Sequence, residues 1–491
     1  MKKLRFRDTE VAGIALVSSL VGYFIDDWIG GAAIVVLWLG FKLLVTGDRI
    51  PVLFLAFLFQ WTQVTIGLFY AGLTGRDIPT IYRSDYRPMV LIGLGCVLAI
   101  AVGVRAGVSL VRRRWQEMDI QERPDDVLSW PMLLCAYGVA VVFEGAIVQL
   151  SADYPSLRQI FLTITIARMG MLFLIFRRLC HPVFRWAPFM TLLGMEVALG
   201  FTGFFAGFRE PLVLGVMALL EIFDHRRMSH AVSLVGLLVV MIGASVMWMG
   251  VRATYRRDFS EIDAFSTSQS ARMDRISSLG SAFFQSDRGE MLNTLDSLID
   301  RMWVVYYPAL AVARVPSVLP HTNGAIVGAA VTHVVTPRAL FPDKPELPSD
   351  SEMVRKYSGV WVAGRAEGTS IAFGYAAESY LDFGIPIMFV PPAVFGLLMG
   401  LAYAFFVSII GHRELAVATV TVIFWLALYL FERSTANMLG YAMSLIIYLG
   451  VPAVLVDKLL TMKSASARRQ TASPYLTQPI PEAPHASDGL P

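Results

Sequence analysis

Over most of this chain, apolar residues run for about 20 positions at a time between short polar turns, without the alternation expected of strands. Runs of that length cross the hydrocarbon core as helices, and about twelve are predicted. They cover residues 11–25, 28–46, 51–74, 89–111, 131–150, 159–176, 187–207, 211–223, 231–251, 386–410, 414–431 and 441–460. The first and eighth are short, so the count lies between about eleven and thirteen. Abundant glycine and the missing period of two favour helices over a barrel. The series is interrupted once, by a long stretch of mixed polarity. The predicted architecture is an all-α polytopic membrane protein with one large helical loop. It divides into an N-terminal bundle (1–251), the loop (252–385), C-terminal membrane helices (386–460) and a tail rich in Ser, Ala and Pro (461–491), expected to be disordered.

Composition agrees with the pattern: 56% of residues are hydrophobic and only 16% charged. Residues 1–7 lead into the first apolar run without a small-residue cleavage motif, so that run is expected to act as an uncleaved signal anchor. Lys2, Lys3, Arg5, Arg7, Arg49, Arg112, Arg113, Arg114, Arg123, Arg177, Arg178, Arg185, Arg226, Arg227 and Arg413 fall in alternate short loops, and Lys463, Arg468 and Arg469 in the tail. The opposite loops hold mainly Arg76, Arg83, Arg87 and Arg158. The asymmetry predicts that both termini face the cytoplasm and that the long loop lies outside. Cys96, Cys135 and Cys180 lie in or beside predicted spans, so no disulfide framework organises the loop. The net charge of +3 gives no reason to expect nucleic acid. No internal repeat is evident, which weakens a transporter reading.

Within the loop, Met291, Leu295, Leu298, Ile299 and Met302 recur at helical spacing and predict an amphipathic helix over 287–303. Residues 302–320 are apolar and aromatic enough to dip into the membrane, whereas 325–335 is too short to cross it. Pro337, Pro342, Pro345 and Pro348 exclude a helix and leave a rigid segment carrying Arg338, Asp343 and Lys344. Thr369 or Ser370 is expected to cap a helix that stops near Gly384 and Pro386. On that helix Tyr375, Glu378 and Asp382 share one face. Such a stripe is either a solvated face or a site at headgroup level.

Charges at span ends extend the picture. Arg209-Glu210 caps a tight hairpin, and the stretch from Phe431 to Asn437, with Glu432 and Arg433, lies between the last two spans. Each is either a local ion pair or part of a site. Arg168 lies well inside the sixth span and needs a partner; Glu144 or Glu196 would supply a structural pair. Arg209, Arg338, Arg365 and Arg433 would all reach the outer face, where arginine binds phosphate through a planar fork and stays charged when desolvated. Lys344, Tyr375 and Tyr380 complete the expected contacts. Four such cations suit a lipid diphosphate. Glycosyl transfer from that donor needs a base for the acceptor hydroxyl, and Glu378, Asp343 and His333 are candidates in that order. No cluster has metal-ligand spacing and no glycine-rich nucleotide loop is present, so neither metal nor cofactor is expected.

The order Pro337-Arg338, Phe341-Pro342-Asp343-Lys344-Pro345, Gly368-Thr369-Ser370 and Glu378-Ser379-Tyr380-Leu381-Asp382-Phe383-Gly384 entering a late span resembles the O-antigen polymerases, the Wzy-type oligosaccharide repeat-unit polymerases. The Arg209-Glu210 hairpin is similar to that group too. The resemblance implies metal-independent joining of undecaprenyl-diphosphate-linked oligosaccharides at the periplasmic face, with loop arginines on the diphosphates. It implies a flippase, a chain-length regulator and membrane lipids as partners. O-antigen, capsule and exopolysaccharide are all compatible products. Three rivals stand beside it: an O-antigen ligase, a transporter of lipid-linked sugars, and a metal-dependent glycosyltransferase using Asp26 and Asp27.

Overall fold

The computed structural model describes residues 8–45, 50–78, 85–114, 129–154, 157–181, 184–201, 207–223, 227–258, 288–336, 341, 343–364 and 370–472. Helices dominate, and there is no strand among the described residues. In chain order they are α1 (Asp8–Leu44), α2 (Val52–Thr74), α3 (Arg87–Arg114), α4 (Trp130–Asp153), α5 (Arg158–Cys180), α6 (Trp186–Phe201), α7 (Arg209–Glu221) and α8 (Met228–Asp258). The loop contributes α9 (Arg288–Met302), α10 (Tyr306–Arg314), α11 (Ala325–Val335), α12 (Asp350–Ser358) and α13 (Tyr375–Phe383). The chain then returns through α14 (Val390–Ile409), α15 (Arg413–Leu428), α16 (Thr435–Leu445) and α17 (Val451–Ala472).

Eight described helices are long and apolar enough to cross a membrane, as an α-helical polytopic protein requires. The expected runs 187–207, 211–223 and 414–431 fall on the shorter helices α6, α7 and α15. Runs 11–25 and 28–46 share α1, which is not straight. Asp26 (φ −149°, ψ 51°) and Asp27 (φ 56°, ψ −158°) leave helical geometry. Trp38 Nε1 donates to Ser18 Oγ at 2.8 Å, so the chain doubles back at the acidic pair. At the other end α17 continues to Ala472, so the stretch 461–472, expected to be disordered, is helical. Residues 473–491 lie outside the described residues.

The tightest crossing joins the two halves of the bundle. Gly103 and Gly107 of α3 face Gly396 and Gly400 of α14, and a Cβ on any of the four would strike the partner backbone. Two small-xxx-small faces thus pack main chain on main chain, where attraction comes from close contact. Near mid-helix on α5, buried Arg168 reaches Glu196 at 3.1 Å and Glu144 at 3.5 Å, so it holds both expected partners. Tyr137 also donates to Glu196.

The loop has a core of its own, in which Ala311, Val315, Val354, Tyr357, Val362, Phe373, Ala377 and Leu381 join α10, α12 and α13. The amphipathic helix expected over 287–303 is α9, and its Asp296 binds Arg76 and Tyr70. Trp303 is buried against α2, where its Nε1 donates to the Val64 carbonyl at 2.9 Å. One expectation changes: α13 starts at Tyr375 behind Gly374, not behind Thr369 or Ser370. Gly374 adopts φ 85° and ψ 154°, a region essentially closed to other residues, and a Cβ there would strike the Phe431 carbonyl oxygen. The reward is a backbone bond from Tyr375 N to Arg433 O at 2.8 Å. Gly374→Ala should therefore destabilise by roughly 1–3 kcal/mol. Gly328→Ala, whose Cβ would meet nothing within 4 Å, should leave the unfolding midpoint unchanged or raised. Thermal unfolding in detergent compares the two.

Candidate functional site

The turn between α15 and α16 is the meeting point of the loop and the bundle. Ser434 caps α16 with extended backbone (φ −61°, ψ 153°), and the next amide, Thr435 N, donates to Glu378 Oε2 of α13 at 2.7 Å. Asn437, one turn in, donates to Ser434 Oγ at 2.9 Å and to Asp350 Oδ2 at 3.0 Å. Asp350 is the first residue of α12, whose start is secured by a capping box between Ser349 and Glu352. Ser370 Oγ donates to the same Asp350 oxygen at 3.5 Å.

In front of this junction lies a cavity of ≈1460 Å³. Its polar wall includes Arg158, Asp300, Arg301, His333, Lys344, Asp350, Glu432, Arg433 and Asn437. Trp303, Tyr306, Tyr307 and Tyr441 give it broad aromatic surfaces. Leu157 just before α5, Ile160 and Leu162 within it, and Met443, Ile447 and Tyr448 beyond the start of α16 add apolar surface. Ile160 and Leu162 belong to one membrane-length helical segment and Met443, Ile447 and Tyr448 to another, so the cavity lining combines charged, aromatic and apolar groups.

Arg433 is the best-built cation here. Its guanidinium lies 4.6 Å from the centroid of the Tyr441 ring and 5.8 Å from that of Tyr429, and Nη1 donates to the Leu426 carbonyl at 2.8 Å. Among the described residues no carboxylate lies within ion-pair distance of it. Burial pulls its pKa down from the usual arginine value, yet a guanidinium remains charged, so a bound anion would relieve the desolvation. Arg301 instead pairs with Glu432 at 3.4 Å.

Of the expected site residues, His333, Lys344 and Arg433 line the cavity. Lys344 is already engaged, since its Nζ donates to the carbonyls of His333 and Thr336, both at 2.9 Å, and closes the end of α11. Asp343 is exposed and Arg209 stands at the start of α7; neither lines the cavity. Tyr375 is buried and donates to Gln60 at 2.6 Å, while Tyr380 OH donates to the Val315 carbonyl at 3.1 Å. Arg338 and Arg365 lie outside the described residues. Glu378 is buried behind the cavity wall rather than on it, because its carboxylate serves the start of α16. Sequence reading passed over Asp350 and Arg158, whereas Asn437 closed the stretch read as a candidate site between the last two spans. Arg158 looked like ordinary loop charge, and nothing in the sequence singled out Asp350; the fold brings both to the cavity beside Asn437.

Burial pushes the Glu378 carboxyl from 4.5 up to about 7, against hydrogen bonds from Thr435 that favour the charged form. Burial also raises Asp350, opposed by bonds from Ser434, Ser370 and Asn437. Among the described residues no group of three or more His, Cys, Asp or Glu is placed to hold a metal ion. No protein-family model, curated protein or solved structure matches the chain.

Between pH 4.5 and about 7 the folded protein holds a proton on Glu378 that the unfolded chain has lost. Stability from this group therefore falls as pH rises through that window, by about 3 kcal/mol in all. Glu378→Gln retains an acceptor for Thr435 N without the charge. Its unfolding midpoint in detergent should exceed that of the wild type above about pH 7, with the advantage fading towards pH 4.5.

Proposed function

We propose that this protein polymerises undecaprenyl-diphosphate-linked oligosaccharide repeat units at the periplasmic face of a bacterial inner membrane, during synthesis of a surface polysaccharide. The observation that carries the reading is the mixed lining of the cavity, in which cations, aromatic rings and apolar side chains meet. A polyprenyl diphosphate sugar is itself three-part: an apolar tail, a doubly phosphorylated joint and a glycan. The apolar wall of α5 and α16 suits the first, Arg433 with Arg158 the second, and the aromatic surfaces of Trp303, Tyr306 and Tyr307 the third.

The bundle supports the orientation. α5 begins at the cavity with Arg158 and ends at Arg177 and Arg178, about 28 Å away at 1.5 Å per residue, close to the thickness of the hydrocarbon core. There Arg177, Arg178 and Arg413 meet Glu221 and Glu414. A concentration of arginine at the end opposite the cavity fits a cytoplasmic base and a periplasmic site. In this reading the chain crosses about twelve times, with α6, α7 and α15 completing the spans and both termini inside.

The chemistry asks little more of the site. The acceptor hydroxyl attacks the anomeric carbon of the donor, and the departing lipid diphosphate carries the charge that develops. The partly desolvated guanidinium of Arg433 stabilises that charge better than it would in water. A flippase that delivers the donor and a chain-length regulator are the partners this activity requires.

Purified protein in vesicles holding the undecaprenyl-diphosphate-linked repeat unit should yield a ladder of lengthened lipid-linked chains. Arg433→Lys should lower kcat/KM about tenfold or more, because an ammonium replaces the stacked planar fork with a point charge. Transfer only to a separate lipid or protein acceptor would indicate a ligase instead. Absence of any transfer would overturn the glycosyltransferase reading.

A further inference from the structure

Three carboxylates line the described cavity, and they are not equivalent. Glu432 is tied to Arg301, and Asp300 acts electrostatically on Tyr70 and Arg76, towards the α9 side. Asp350 has no cation within ion-pair distance among the described residues. Neutral donors hold it instead: Asn437 Nδ2 at 3.0 Å and Ser370 Oγ at 3.5 Å, both on Oδ2, together with the Ser434 hydroxyl. Such a cage fixes the direction of a carboxylate without cancelling its charge, as a general base requires. Its backbone is equally fixed, between the capping box of α12 and the first turn of α16. Asp350 is close enough to disfavour the charged form of Glu378, whose own oxygen is committed to Thr435 N.

We propose that Asp350 is the base that takes the proton from the acceptor sugar hydroxyl. The assignment rests on the cavity being the transferase site. As the hydroxyl oxygen forms its bond to the donor's anomeric carbon, the bond from that carbon to the diphosphate oxygen breaks. That electron pair leaves with the lipid diphosphate, and the hydroxyl proton ends on Asp350. Asn437 is a positioning residue: it touches Asp350 and not the reacting atoms. Burial of Asp350, which raises its affinity for a proton, favours the same role.

The test uses full-length protein in vesicles with the lipid-linked repeat unit, with kcat and donor KM measured separately. Asp350→Asn should cut kcat by about 100-fold or more while leaving donor KM within a few-fold and the unfolding midpoint unchanged. Asn437→Ala keeps the carboxylate and loses its 3.0 Å donor, and should lower kcat about tenfold at unchanged KM. This second variant decides the matter if the first does not fold. Asp350→Asn or Asn437→Ala with wild-type kcat would overturn the assignment, as would loss of turnover in His333→Gln alone. Those results would leave the transferase reading standing, whereas a wild type inert with every donor would overturn both.

Discussion

The start of a helix leaves backbone amides without partners, and at α16 that start is buried under the long loop. Glu378 answers the need by accepting from Thr435 N at 2.7 Å, and the organisation of the site follows from it. The bond draws α13 onto α16. Once α13 is there, Gly374 must pass hard against Phe431, and Tyr375 N closes on Arg433 O. The polar wall of the cavity is what lies exposed along that seam. A buried carboxylate is costly, and its raised pKa records the cost. A helix placed by one such bond is also placed specifically.

The same bond shows why sequence reading reached only so far. The apolar runs announced a helical membrane protein, and the acidic pair Asp26-Asp27 marked a real reversal. Arg168 advertised its need for carboxylates because a lone guanidinium at that depth is untenable. The stripe Tyr375, Glu378 and Asp382 was legible as one face but not as a function. Each of its members anchors a different partner: Tyr375 holds Gln60 of α2, Glu378 the start of α16, and Asp382 the first amides of α11 at 2.7 and 3.0 Å. A polar stripe facing inwards has the same spacing as one facing solvent, and periodicity cannot tell them apart. Asp350 was invisible for the converse reason, since its neighbours Ser370 and Asn437 come from distant parts of the chain.

The mixed lining of the cavity ties these features to the proposed chemistry. The cavity is bounded by both the loop and two membrane-length helical segments, so a ligand filling it would be partly lipid and partly polar. The α3–α14 crossing matters here as well, because α14 takes the chain directly from α13 into the bundle. Packed main chain on main chain, that crossing offers no side chain that could rearrange cheaply.

The most direct measurement is the affinity of the purified protein for undecaprenyl diphosphate, set against the same lipid as the uncharged alcohol. A cavity that reads tail and diphosphate together predicts saturable binding of the diphosphate lipid at least about tenfold tighter than the alcohol. It also predicts a loss of about 100-fold for the diphosphate lipid alone when Arg158 and Arg433 are both replaced by alanine. Equal affinity for the two lipids, or a double variant that binds as the wild type does, would contradict it.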